Sequence, residues 1–415
     1  MNSDFKSHTI KDIDYLIWGL FASLLLTDTI NGYFFNNNIY LPISQTYKII
    51  LLLLIYLRTF SWKESSIINC IQLLYVSFLI TYLAINDLNI NETINTLFKY
   101  LTIIITFNYV SKQLKNRTTP TFSIYKHIIF INLIVIILNV FIGLLGFGYY
   151  SYGEDETGIG FKGFFNAANE VSGLILVIYP FTLFYFAIKY GYKSKQYILI
   201  ALILFSSAVL MGTKTSMIAV LITLVCLPYL QVKKTKNSAK KLLKNLTFLF
   251  ISICFISLII YYIIDDIGLL DRWIYFWDKH DGNIISFLLS GRDDFWEFKK
   301  QIYLNANSIE LLFGFGCWGK GIEVDFLDAL FNFGIIGFII IYSSYAYLVI
   351  NSYRLTKNND YPYSKIVFFT NILILCSSSI SGHILFSGMI NNFIAIINSI
   401  AYYRISDWNN KNNDN

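Results

Sequence analysis

Apolar residues in this chain run in long blocks and do not alternate with polar ones, so the pattern predicts buried or lipid-facing helices and no sheet. A bilayer core of ~30 Å needs about 20 such residues per helix. Twelve stretches qualify, approximately 14–34, 41–60, 66–85, 94–110, 123–148, 170–190, 196–212, 214–230, 245–264, 326–350, 364–385 and 387–404. The expected fold is therefore an all-α polytopic membrane protein of about twelve transmembrane helices. Residues 1–264 would hold spans one to nine. Residues 265–325 would form one large outer loop, and 326–415 the last three spans with a cytoplasmic tail.

Composition agrees with this reading. Of 415 residues, 55% are hydrophobic and 14% charged, and the mean hydropathy is +0.54. Soluble chains carry roughly 25% charged residues. The distribution of Lys and Arg then sets orientation. With the N-terminus in the cytoplasm, Lys6, Lys11, Arg58, Lys63, Lys112, Lys115, Arg117, Lys189, Lys193, Lys195, the cluster Lys233–Lys244, Arg354, Lys357, Lys365, Arg404 and Lys411 all fall inside. The short outer loops hold only Lys162 and Lys214. The net charge of +6 is thus a topology signal and does not point to nucleic acid. The segment Met1–Lys11 reads as a cytoplasmic tail and not as a cleaved signal. Five cysteines without a CxxC and four histidines without HxxxH spacing suggest neither a disulfide framework nor a metal site.

The loop over 265–325 is too long for a connector. Ser290 is a plausible N-cap, with Asp293 and Asp294 in the following turn. Phe295, Trp296, Phe298, Ile302 and Tyr303 fall on one broad apolar face, which predicts an amphipathic helix along the membrane surface or over a cavity.

Ionisable groups beside apolar segments mark candidate chemistry. Lys214, between hydroxyl residues at the start of a span, is either a phosphate cradle or a snorkelling lysine. Arg292, after Ser290-Gly291, suits bidentate phosphate contacts or a salt bridge to Asp293, Asp294 or Glu297. Glu323, Asp325 and Asp328 precede or open a span, where carboxylates serve as caps or as a general base. His383 is a structural hydrogen-bonder or a proton shuttle. The predicted topology puts all of them on the outer face.

These segments resemble the O-antigen polymerase and ligase superfamily. Phe161-Lys162-Gly163-Phe164-Phe165-Asn166-Ala167-Ala168-Asn169 is similar to its G-x-F-x-N-x-N stretch, and Gly212-Thr213-Lys214-Thr215-Ser216 to its short basic turn. Ser290-Gly291-Arg292 followed by Trp296 is similar to its S-G-R…W, and Glu323 to Gly337 to its D-x-L-D…G-x-x-G. The resemblance implies a metal-independent GT-C-like glycosyltransferase that uses no cofactor and takes an undecaprenyl-pyrophosphate-linked glycan as donor and a lipid-linked repeat unit as acceptor. It implies Lys214 and Arg292 as pyrophosphate residues, Glu323, His383 and Asp325 as catalytic candidates, and Asn169 and Trp296 at the substrate. Ligases of the family carry a His where Glu323 stands, so the resemblance leans to the polymerase (Wzy) branch. It implies a bacterial inner-membrane location with a periplasmic site, and leaves room for a chain-length regulator as partner. The alternatives are an O-antigen ligase and, from another class, a lipid-linked oligosaccharide flippase. A flippase needs charge inside its spans, and these spans read as poor in it.

Overall fold

The computed structural model describes residues 11–60, 63–115, 119–153, 158–230, 274, 277–278, 282–289, 292–319, 321–380 and 382–403. The expected ninth span, the Lys233–Lys244 cluster, Ser290 and Gly291 lie outside the described residues.

The described chain is mainly helical. In order it forms α1 (Asp12–Ala22), α2 (Leu24–Asn36), α3 (Ile43–Phe60), α4 (Lys63–Ile85), α5 (Ile90–Lys115), α6 (Thr119–Leu144), the strands β1 (Tyr149–Tyr152) and β2 (Ile159–Gly163), then α7 (Ala168–Tyr190), α8 (Lys195–Leu210) and α9 (Lys214–Leu230). After the outer-loop sequence come α10 (Ile284–Leu289), α11 (Arg292–Leu304), α12 (Ser308–Phe313), α13 (Asp325–Thr356), α14 (Ser364–Ser378) and α15 (Asn391–Ile400). Four described helices, α3, α7, α13 and the 121–144 stretch of α6, are long and apolar enough to cross a bilayer, and the pair α1–α2 makes a fifth if taken as one bent span.

Sheet was not expected. The antiparallel hairpin β1–β2 pairs Tyr150 with Phe161 and Tyr152 with Ile159. It sits on α6, where Asn139 Oδ1 accepts the Phe164 amide at 3.1 Å.

The expected first span is broken. α1 and α2 meet at a 47° bend. Asn132 of α6 serves the groups that the break frees: its Oδ1 accepts the Leu25 amide (3.1 Å) and its Nδ2 donates to the Phe21 carbonyl (3.0 Å). Apolar surroundings offer no water to do this, so a side chain must. Interior charge is also present. Asp14 and Arg58 are both buried and paired through two contacts at 3.0 and 3.1 Å, with Tyr109 Oη (2.9 Å) and Gln113 Nε2 (3.0 Å) donating to the same carboxylate.

The last two spans are shorter than their hydropathy suggests. Hydropathy carries helix to Leu385 and again from Ser387, yet α14 stops at Ser378 and α15 runs only from Asn391 to Ile400. Between them residues 382–390 are irregular. Every residue of α15 is buried. Asn371 and Asn398 exchange reciprocal hydrogen bonds of 2.8 and 3.0 Å, and Thr106 donates to Asn392 at 3.0 Å, so amide side chains hold α15 against α14 and α5.

α13 is kinked at Gly334, whose φ of +63° lies outside the helical region. The break frees the carbonyls of Phe331 and Asn332, and the amides of Phe315 (2.9 Å) and Gly316 (3.1 Å) take them. A Cβ at Gly334 would stand 2.4 Å from the Leu312 carbonyl, so only glycine fits. This ties the loop over 314–324 to the first turns of α13.

Candidate functional site

A cavity of about 1530 Å³ opens among the ends of α2 and α3, the starts of α5, α7 and α13, the hairpin, and the segments 317–321 and 383–389. Its walls differ. One is polar, with Asp28, Asn31, Asn95, Asn166 and Asn169, and Ser44, Gln45 and Lys48 at the start of α3 join it. The other is apolar and runs along the rest of α3 through Ile49, Leu52, Leu53, Leu57 and Phe60. Ile49, Leu53 and Leu57 are more than half exposed, so that wall is also outer surface.

Four lysines line the cavity: Lys48, Lys99, Lys162 and Lys299. Lys48 Nζ lies 2.6 Å from Asp28 Oδ1, which Ser44 Oγ also contacts, while Asp28 Oδ2 has no partner among the described residues. The stems of Lys48 and Lys99 flank Gly388. Lys162 donates to the Asn166 carbonyl at 2.8 Å, and its partial burial lowers its pKa. Lys299 is buried in α11, with Nζ 4.6 Å above the Phe331 ring and 5.7 Å above that of Trp318. Desolvation pulls its pKa below the usual lysine range, and the nearby Asp328 charge opposes that.

Sequence reasoning had passed over Lys48, Lys99 and Asp28 because they sit within spans counted as poor in charge. The signal was there: a lysine inside an apolar run marks a cavity or a partner. Lys299 falls in the amphipathic helix within the arc spanned by Phe295, Trp296, Ile302 and Tyr303, the face expected to be apolar. Trp296, Ile302 and Tyr303 do pack inward, against Ile322, Val324 and Phe331, whereas Phe298 is 63% exposed. The expected face is thus the one that packs, with Lys299 at its centre and Phe298, at its edge, turned outward.

The start of α13 assembles the other expected residues. Asp325 is fully buried and accepts the amides of Ile384 (3.1 Å) and Leu385 (2.9 Å) on Oδ2. Asp328 accepts the amides of Ile322 on Oδ1 (2.7 Å) and Glu323 on Oδ2 (2.9 Å). The segments around Glu323 and His383 are thereby brought together, and Gly382 is pressed so close to Glu323 that a Cβ would fall 2.0 Å from its carbonyl oxygen. Arg292 Nη2 lies 3.4 Å from Glu323 Oε2, and Nη1 donates to the Leu289 carbonyl at 3.1 Å. Arg292 thus pairs with Glu323 and not with Asp293, Asp294 or Glu297, the partners its sequence neighbours offered.

Arg292, Glu323, Asp325 and His383 form one neighbourhood, of which His383, with Asp328, lines the cavity, while Arg292, Glu323 and Asp325 stand behind its wall. Asn169 lines it too. Lys214 begins α9 beside Thr213, whose Oγ1 is 2.6 Å from Ser172 Oγ, and is not part of the cavity wall. Trp296 lies under the 322–324 segment and also outside the wall. Among the described residues no group of three His, Cys, Asp or Glu side chains is placed to hold a metal ion.

The cavity is lined by both polar and apolar side chains. Residues 275–406 match the model of a family described as O-antigen ligase like membrane protein. That stretch, under half of the chain, contains Arg292, Glu323, Asp325, Asp328 and His383, so the likeness to this membrane-protein family falls on the candidate site residues. Neither the curated proteins nor the solved structures gave a match to this chain.

Proposed function

We propose that the chain is a surface-polysaccharide polymerase: a GT-C-like membrane glycosyltransferase with twelve spans and a non-cytoplasmic site. It would transfer a growing glycan from undecaprenyl pyrophosphate to a new lipid-linked repeat unit. The observation that carries the reading is the two-sided cavity, in which an apolar wall along α3 meets a cationic, carboxamide-rich end beside His383. The prenyl chain lies on Ile49, Leu53 and Leu57. The pyrophosphate meets the cavity lysines, and Asn169 with its polar neighbours takes sugar hydroxyls.

In this proposal Glu323 or His383 removes the proton from the acceptor hydroxyl. The oxygen attacks the anomeric carbon of the donor, the bond to the phosphate oxygen breaks, and undecaprenyl pyrophosphate leaves with the electron pair. Arg292, paired with Glu323, stabilises charge at the reacting end. Lys214, which stands outside the cavity wall, gives way to the cavity lysines as the partner of the pyrophosphate in this proposal. Orientation and preorganised charge supply the catalysis, because the pyrophosphate bond is already activated.

The second reading is a ligase, favoured by the description of the matched family. The ladder of surface polysaccharide in a deletion strain separates the two. Loss of a polymerase leaves lipid A core bearing one repeat, and loss of a ligase leaves core with no attached sugar. A normal ladder without the chain would refute both.

A further inference from the structure

We infer that Asp325 and Asp328 are paired positioning residues, whose carboxylates hold two strained turns and thereby aim Glu323 and His383 into one reaction space. Glu323 and His383 each have a φ of +63°. That left-handed backbone costs a residue with a Cβ of order 1–3 kcal/mol and persists only where surroundings enforce it. The enforcing contacts are the four amide bonds from Ile322, Glu323, Ile384 and Leu385 to the two carboxylates. A carboxylate is the strongest neutral-amide acceptor a side chain offers.

Two observations separate this from ordinary capping. First, aspartates in the opening turn of a helix commonly bond the amides of that turn, whereas Asp325 reaches Ile384 and Leu385 in a distant segment and Asp328 reaches back past the Val324 N-cap to Ile322 and Glu323. Second, the surrounding chain already uses glycine where left-handed backbone is needed, at Gly314, Gly316, Gly319 and Gly382. Glutamate and histidine at two such positions make sense if their side chains are required there.

The two clamps are not equivalent, and the difference supplies the test. Asp325 uses one oxygen for both amides and leaves Oδ1 without a partner among the described residues. Asparagine can keep that geometry, with its NH₂ at the vacant corner. Asp328 uses both oxygens, one for each amide. Asparagine there would set an NH₂ against an N–H and lose a contact.

The inference rests on the glycosyl-transfer reading. Purified full-length variants in lipid nanodiscs are assayed with lipid-linked repeat units, and His383 is separately followed by diethyl pyrocarbonate modification with peptide mapping. Asp325→Ala should lower kcat about a hundredfold at unchanged KM, as misplacement of a reacting group by ~1 Å does. Asp325→Asn should stay within about tenfold of wild type with the same pH profile, and Asp328→Asn should lose more than Asp325→Asn. His383 should change its modification rate in Asp325→Ala and keep it in Asp325→Asn. An Asp325→Asn protein as inactive as Asp325→Ala, with His383 modified at the wild-type rate, would make Asp325 a chemical participant and overturn the inference. So would a fully active Asp325→Ala. Absence of activity in wild type would sink the polymerase reading alone, and the clamp would then be decided by the His383 modification rates.

Discussion

The backbones of Glu323 and His383 take the same left-handed turn, φ +63° at each, although they belong to segments far apart in the chain. Gly382 closes the gap between them. Removing either side chain while keeping its size, as in Glu323→Gln or His383→Gln, is expected to lower polymer formation by about 10²–10⁴-fold for whichever is the base, the usual range for acid–base catalysis. Substrate binding should be nearly unchanged. Turnover of both variants in nanodiscs, compared with retention of lipid-linked substrate, checks this.

Gly388 separates the stems of Lys48 and Lys99, and a Cβ there would make only ordinary contacts of 3.5 and 3.7 Å. Gly388→Ala should therefore fold and function. Gly388→Leu should fill the cationic end of the cavity and abolish activity at normal expression. Lys48→Gln and Lys99→Gln should weaken substrate binding, each raising KM several-fold. An active Gly388→Leu would show that substrate does not pass between these lysines.

Lys299 offers a test of charge against packing. A methionine in its place would cover the same Phe331 and Trp318 surfaces without a buried ammonium. Melting of Lys299→Met should be equal to or above that of wild type, since removing a desolvated charge relieves its cost. Polymerisation should fall if the ammonium meets the pyrophosphate.

Cys317 is buried, and its amide donates to Thr93 Oγ1 at 2.7 Å. Burial pushes its thiol pKa up to about 11. The neutral thiol is then the form present near neutrality, and at pH 8 the thiolate is about one part in a thousand. In a variant that keeps only this cysteine, alkylation should be slow at pH 8 and rise about tenfold per pH unit towards pH 11. Rapid labelling at pH 8 in the folded state would mean the 314–324 loop opens.

Asp14 and Arg58 should behave as a purely structural pair. Breaking a buried ion pair from one side costs about 3–5 kcal/mol, because the other charge is stranded. Asp14→Asn and Arg58→Gln are expected to lower the detergent melting temperature clearly. The surviving folded protein should retain wild-type turnover, since neither residue lines the cavity.

The long apolar blocks made the helices legible, and the ranges 43–60, 168–190 and 214–230 fall close to where hydropathy puts them. The breaks were not legible. Hydropathy sees Ser387 to Arg404 as one apolar run, but the unwound backbone after His383 is held by Asp325 from a distant segment together with the local side chains of Ser387 and Asn391. A long-range partner such as Asp325 leaves no local signature. Of the candidate site, Arg292, Glu323, Asp325 and His383 could be named from the residue types alone. That Asp325 faces backbone amides could not, since the same Asp-x-x-Asp spacing serves caps, bases and clamps. Lys48 and Lys99 were readable in principle, as charges inside apolar runs, but a lysine near a helix end is so often a boundary anchor that the alternative reading prevails.

The long wall of α3 has a practical corollary. Ile49, Leu53 and Leu57 are at once the lining of the cavity and part of the exposed exterior, so an amphiphile that coats this face of the molecule has a path into it. Solubilisation replaces one guest with another. Short-chain surfactants carrying a sugar head would imitate both halves of a glycolipid and behave as competitive inhibitors, and a preparation that looks inactive in maltoside should recover when returned to a bilayer.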